Sequence, residues 1–157
     1  MNPNKFIFID RDGVIIRDKN YMHKIEDIEF LSGAIEGMKK IQDLGFQFII
    51  ISNQAGIARS LYTENDAKTF NCELVRRLND NGISILACYF CPHHPDFTGE
   101  CECRKPKIGL IEIAVKNFGI IPSQSIFIGD KDCDIELGKK CSGTTILINN
   151  GQYETSI

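Results

Sequence analysis

Five short runs rich in isoleucine and phenylalanine, each followed by a stretch with helical spacing or by the next turn, leave few folds open to this chain. The runs are residues 5–10, 46–52 ("FQFIIIS"), 83–90, the segment "SIFIGD" from Ser125, and 144–148. Between them, residues 32–44 carry Ile35, Met38, Ile41 and Leu44 on one helical face, with Gly45 as a stop. Residues 63–81 open on Thr63 with Glu64 and Asp66 in the first turn, where the helix dipole favours acids, and close on Asn81-Gly82. Residues 110–118 and 132–140 are the remaining helical stretches. Strands that alternate with helices imply right-handed crossovers and a parallel sheet covered on both faces, an α/β architecture. At 157 residues one hydrophobic core is expected, so residues 1–157 read as a single domain.

Open parallel sheets bind ligands beyond the carboxyl ends of their strands. Those ends carry Asp10 and Asp12 after the first run, Ser52 and Asn53 after the second, Cys91 after the third and Asp130 after the fourth. Alone, "DRDG" reads as a turn, because aspartate and glycine favour turns. Together with "IISNQ" and "IFIGDKDCD" at later strand ends, it reads as a site. Carboxylates gathered there repel one another unless a cation neutralises them, and all-oxygen ligands favour Mg²⁺. Asp10, Asp12 and Asp130 are the expected ligands. Asp10 can also act as a nucleophile on phosphorus, and Asp12 can protonate the leaving oxygen and then activate water. Such an attack needs donors and positive charge around the phosphoryl oxygens. The Ser52 hydroxyl and the Asn53 N–H can supply the donors, and Lys105 or Lys107 the charge.

A net charge of −3 and the lack of a long basic run argue against a nucleic-acid partner. No apolar run approaches the ~20 residues of a membrane span, and no secretory signal is visible, so a soluble cytoplasmic protein acting on a small phosphorylated molecule is expected. Nothing visible demands more than a monomer. Seven cysteines without an export signal do not suggest a disulfide framework. Cys72, Cys88, Cys133 and Cys141 read as small buried apolar residues. Within "CPHHPDFTGECEC", by contrast, Cys91, His93, Cys101 and Cys103 have the spacing of a closed structural Zn²⁺ site, with His94 as a competing ligand. His23 has no metal partner in sequence. Lone bases such as Lys19, Arg59 and Lys131 are usually surface charges. Arg59, Arg104 and Lys131 nevertheless follow site strands, and a second anionic group on the substrate would need them.

The segments "DRDG", "IISNQ", "CRKPK" and "IFIGDKDCD" resemble the haloacid dehalogenase superfamily of aspartate-nucleophile phosphatases. The resemblance implies a Rossmann-like core and roles for Asp10 (nucleophile), Asp12 (acid/base), Ser52 and Lys105 (phosphate binding) and Asp130 (Mg²⁺). Within it, "YMHKIEDIEF", "SNQAGIAR", "CPHHP" and "CECRKPKIGL" are similar to the heptose bisphosphate phosphatases of surface-polysaccharide synthesis, across nearly the whole chain. That likeness implies a phosphosugar substrate held by Asp18, Lys19, Asn20, Tyr21, Ser52, Asn53, Gln54, Ala55, Arg104, Lys105 and Lys131, and zinc in the cysteine loop. Similar enzymes often read "GIARG" where this chain has "GIARS", ending on Ser60. Too few residues separate Asp12 from Ser32, or Ser52 from Lys105, to build a large cap domain. The nearest enzymatic rival is a histidinol-phosphate phosphatase, and a rival of another class is a non-catalytic phosphosugar-binding module.

Overall fold

The computed structural model describes residues 5–149. Its strands are β1 (Phe6–Ile9), β2 (Gln47–Asn53), β3 (Ile85–Cys91), β4 (Ile126–Gly129) and β5 (Thr144–Leu147). They form one sheet in the order β3-β2-β1-β4-β5, and every neighbouring pair is parallel. The helices are α1 (Ala34–Asp43), α2 (Glu64–Asp80), the single turn α3 (Pro95–Thr98), α4 (Gly109–Phe118) and α5 (Asp132–Lys140).

The continuous apolar runs are explained by burial on both faces, which leaves no solvent side to demand polar alternation. On one face Ile7, Ile9, Phe48, Ile50 and Ile128 pack with Met38 of α1 and Phe70, Leu74 and Leu78 of α2. On the other, Phe6, Phe8, Ile49, Ile51 and Phe127 pack with Leu110, Ile111 and Ala114 of α4 and Leu137 of α5. Successive residues of β1, β2 and β4 therefore belong to opposite cores, as the two-residue period of a strand requires. The Phe8 and Phe127 rings stack across the β1–β4 pair at 5.0 Å between centroids.

The order also locates the site. From β1 the chain steps outward to β2 and β3, then returns across β1 to β4, so the direction of winding reverses between β1 and β4. Crevices form at such reversals. Between β1 and α1 the only regular element is a 3-10 turn, Ile25–Asp27, and no cap is inserted there.

Element boundaries depart from the sequence reading where side chains or glycine intervene. Helix α1 starts at Ala34 rather than Ser32, because Gly33 takes a left-handed conformation (φ 82) that a helix interior excludes. Strand β3 starts at Ile85 rather than Ile83. The Ile83 N–H bonds the Leu78 carbonyl at the end of α2, and the Ser84 N–H bonds Gln42 Oε1, so neither enters the ladder. Helix α2 has the expected start: Thr63 Oγ1 accepts the Asp66 N–H while Asp66 Oδ2 accepts the Thr63 N–H. The turn α3 interrupts the segment that shows no periodicity, since one turn is too short to display any. Cys72 is exposed on α2, and Cys88, Cys133 and Cys141 are only half-buried, which corrects the expectation of four buried thiols.

Ser60, where the family resemblance implies glycine, is held at φ 60. A residue with a Cβ is disfavoured there. Ser60→Gly is expected to raise stability by about 0.5–1 kcal/mol, read as a higher urea midpoint at unchanged slope. A lower midpoint would contradict this reading of the loop.

Candidate functional site

Asp10 follows β1 directly, and its N–H donates to the Ile128 carbonyl of β4 at 3.0 Å, so the ladder carries the residue into the crevice at the winding reversal. The side chain is buried. Facing it is Lys105, also buried, from the loop before α4. Lys105 Nζ donates to Asp10 Oδ1 at 3.0 Å, Asp134 Oδ1 at 2.6 Å and the Ile51 carbonyl at 3.1 Å, which uses all three ammonium protons. Asn53 at the end of β2 fixes the same residue's backbone: its Oδ1 accepts the Lys105 N–H at 2.9 Å and its Nδ2 donates to the Lys105 carbonyl at 3.3 Å. Gly129 makes room for this arrangement, because a Cβ there would stand 2.1 Å from Asp134 Cβ.

The charges sit in balance. Burial pushes the Asp10 carboxyl up to about 7, opposed by Lys105 and reinforced by Asp134 and Asp12. Burial disfavours the Lys105 ammonium, yet Asp10 and Asp134 together outweigh it and raise its pKa. Of the two lysines that can neutralise the site, Lys105 is therefore the one brought there. Lys107 instead pairs with Glu100 at 2.7 Å and bonds the Cys101 carbonyl.

Three carboxylates, those of Asp10, Asp130 and Asp134, offer oxygens that all lie within 4.8 Å of one another. This hard, all-oxygen donor set fits Mg²⁺. Its membership differs from the sequence expectation at one position. Asp12 does not join it, because the Arg11 guanidinium takes both of its oxygens, Nε to Oδ1 at 2.7 Å and Nη2 to Oδ2 at 3.0 Å. Asp134 stands in the group instead. The signal for it was present in "GDKDCD", which places a further carboxylate four residues after Asp130, in the first turn of α5.

Beside this cluster opens a crevice of about 240 Å³. Asp12, Asp18, Asn20, Tyr21, Asn53, Gln54, Ala55, Arg104 and Lys131 line it, all of them expected at the site, and Tyr62 and Cys133 join them. Asp10, Ser52 and Lys105 are buried and do not line it. Lys19 and Arg59 also lie outside the lining: Lys19 is exposed, and Arg59 stacks on the Phe97 ring at 4.6 Å and the Tyr21 ring at 5.6 Å. Asn20 and Tyr21 both adopt left-handed conformations, and Asp18 Oδ1 accepts the Asn20 N–H, so this loop is a built turn. Tyr62 donates its hydroxyl to Gln54 Oε1 at 2.8 Å, and burial raises the phenol to about 12. Gln54 Nε2 in turn donates to the Ser52 hydroxyl at 3.1 Å.

The sulfurs of Cys91, Cys101 and Cys103 form a second compact group, with Cys91 and Cys101 3.7 Å apart. Three thiols at this spacing fit a soft ion such as Zn²⁺. His93 is not in the group. His94 accepts the Asp96 N–H on Nδ1 and caps α3. The loop is tied to the crevice at both ends: the Gln54 N–H bonds the Cys91 carbonyl at 2.8 Å, and Arg104 Nη1 bonds the His93 carbonyl at 3.4 Å.

Comparison with known proteins agrees with this geometry. A family model described as Polynucleotide kinase 3 phosphatase matches residues 5–143. A D-glycero-alpha-D-manno-heptose-1,7-bisphosphate 7-phosphatase of Photorhabdus laumondii is 46% identical over 144 residues, 88% of this chain and 79% of that protein. A D-glycero-beta-D-manno-heptose-1,7-bisphosphate 7-phosphatase of Haemophilus ducreyi is 36% identical over 159 residues, 97% of this chain and 87% of that protein. The fold is shared with the crystal structure of D,D-heptose 1,7-bisphosphate phosphatase from B. bronchiseptica complexed with magnesium and phosphate. That structure gives a TM-score of 0.82 at 24% identity, over 91% of this chain and 79% of that one. By the span of the family match and the identity to these relatives, the chain belongs to the haloacid dehalogenase-like phosphatases.

Proposed function

We propose that this phosphatase removes the 7-phosphate of D-glycero-D-manno-heptose 1,7-bisphosphate through an aspartyl-phosphate on Asp10. The observation that carries the reading is the buried Asp10–Lys105 pair beside a crevice whose lining holds two further cations, Arg104 and Lys131. One phosphate needs the nucleophile, and a second needs separate positive charge. In this mechanism an Asp10 oxygen attacks phosphorus, the bond from phosphorus to the sugar oxygen breaks, and that oxygen takes the proton carried by Asp12. Water then attacks the aspartyl-phosphate, gives a proton to Asp12, and leaves inorganic phosphate with the Asp10 carboxylate restored. The Ser52 hydroxyl and the Asn53 N–H donate to the phosphoryl oxygens, and Lys105 keeps positive charge beside Asp10. Mg²⁺, held by Asp10, Asp130 and Asp134, supplies further positive charge against the phosphoryl group when bound.

Arg104 and Lys131 take the remaining phosphate, while Asp18, Asn20, Tyr21, Gln54 and Ala55 surround the sugar. Lys19 and Arg59 flank that wall from outside. Zn²⁺ on Cys91, Cys101 and Cys103 would fix the loop that carries Arg104, and His93, now outside the sulfur group, would have to turn inward to serve as fourth donor. The product would enter the synthesis of surface polysaccharide. We take residues 1–157 as a single cytoplasmic, monomeric domain. No described helix is long and apolar enough to cross a membrane.

A phosphate-release assay on the pure protein tests the substrate. The α anomer, named in the relative at 46% identity, is expected to give the highest kcat/KM, ahead of the β anomer, histidinol phosphate and a 3′-phosphorylated oligonucleotide. Chelation should abolish turnover and Mg²⁺ restore it. Faster release from histidinol phosphate or the oligonucleotide would overturn the heptose reading, and turnover that survives chelation would overturn the metal. Elemental analysis tests the cysteine loop: about one zinc per chain is expected, lost in Cys101→Ser. Protein that is active and zinc-free would contradict that role.

A further inference from the structure

Arg11 is fully buried between the two aspartates of the first strand end, at 0% exposure. A buried guanidinium is costly unless every donor finds a partner. Here four of the five N–H donors have partners. Besides the two bonds to Asp12, Nη1 donates to Asn71 Oδ1 at 2.9 Å and Nη2 to Gln54 Oε1 at 3.2 Å. The plane lies over the Phe70 ring, 4.5 Å from its centroid. Asn71 and Phe70 belong to α2, and Gln54 follows β2, so the orientation of Arg11 is fixed by two elements outside its own strand.

That anchoring has a direction. The guanidinium fork is planar and meets both Asp12 oxygens, which fixes the plane of the carboxylate as well as its position. Asp12 lines the crevice, whereas Arg11 and Asn71 do not. We infer that Arg11 is a positioning residue for the reaction: held by Asn71 on α2, it sets the plane in which Asp12 meets the leaving oxygen. The inference rests on the phosphatase reading above, in which Asp12 hands its proton to the oxygen released from phosphorus. A residue that only filled the core over Phe70 would support the fold without favouring one kind of ester over another.

Leaving-group chemistry separates the two roles. An alkyl phosphate expels a basic oxygen that needs a proton, while p-nitrophenyl phosphate expels a stable phenolate that does not. In Arg11→Lys, kcat/KM on heptose bisphosphate, which reports formation of the aspartyl-phosphate and not the hydrolysis step common to both esters, is expected to fall about 10- to 100-fold, with kcat/KM on p-nitrophenyl phosphate within about 3-fold of wild type. Asn71→Leu removes the anchor without touching the crevice, and a smaller loss with the same selectivity is expected. It carries the test should Arg11→Lys fail to fold, as judged by thermal unfolding. Equal losses of kcat/KM on both esters, or no loss on either, in the folded variants would overturn the inference. Wild type that turns over p-nitrophenyl phosphate but no alkyl phosphate would overturn it too, whereas wild type inactive on both esters would mark failure of the phosphatase reading itself.

Discussion

One buried ammonium organises the centre of this molecule. Lys105 stands between Asp10 and Asp134, and without it two carboxylates would be buried close together with no protein cation to offset them. Removing one partner of such a group is expensive, on the order of 3–5 kcal/mol, because the charge left behind has no solvent to return to. The lysine is correspondingly restrained. Asn53 clamps its backbone from both sides, and the Ile51 carbonyl takes its third proton. The end of β2 thus sets where the positive charge lies, and the charge sets which form of Asp10 is available for chemistry.

The sheet makes this possible by geometry alone. Because β1, β2 and β4 are adjacent and parallel, residues just beyond their carboxyl ends meet without any long-range loop having to fold over them. Glycine completes the fit at Gly129, where the missing side chain lets α5 bring Asp134 against the strand end. The remaining wall is built from loops, and these are held by side chains: Arg59 bridges Tyr21 and Phe97, and the cysteine loop is bonded to Gln54 and Arg104.

Much of this was legible in the sequence, for identifiable reasons. Strands buried on both faces read as unbroken apolar runs, so the runs and their polar ends were visible, and nine of the expected residues line one crevice. What escaped depended on side-chain direction. Asp12 is two residues from Asp10, a spacing that suggests a shared ion, but Arg11 turns its carboxylate onto itself. Asp134 lies within the "GDKDCD" stretch and enters the cluster because the first turn of α5 packs against Gly129. From the residues alone Lys105 and Lys107 were equivalent and only the family resemblance favoured Lys105; the Asn53 clamp points it inward while Glu100 draws Lys107 outward. Tyr62 gave no signal, since its place at the crevice depends on a bond to Gln54 that joins two turns of the same loop.

The central claim is that the buried carboxylate beside Lys105 is the group to which phosphorus becomes bonded. A crystal structure of the protein soaked with Mg²⁺ and beryllium fluoride tests it most directly, since trifluoroberyllate mimics a phosphoryl group on a carboxylate. The account predicts continuous density from an Asp10 oxygen to beryllium, with the fluorines meeting Ser52, Asn53 and Lys105. Beryllium bonded to Asp12, Asp130 or Asp134, or a bare tetrahedral ion elsewhere in the crevice, would contradict it.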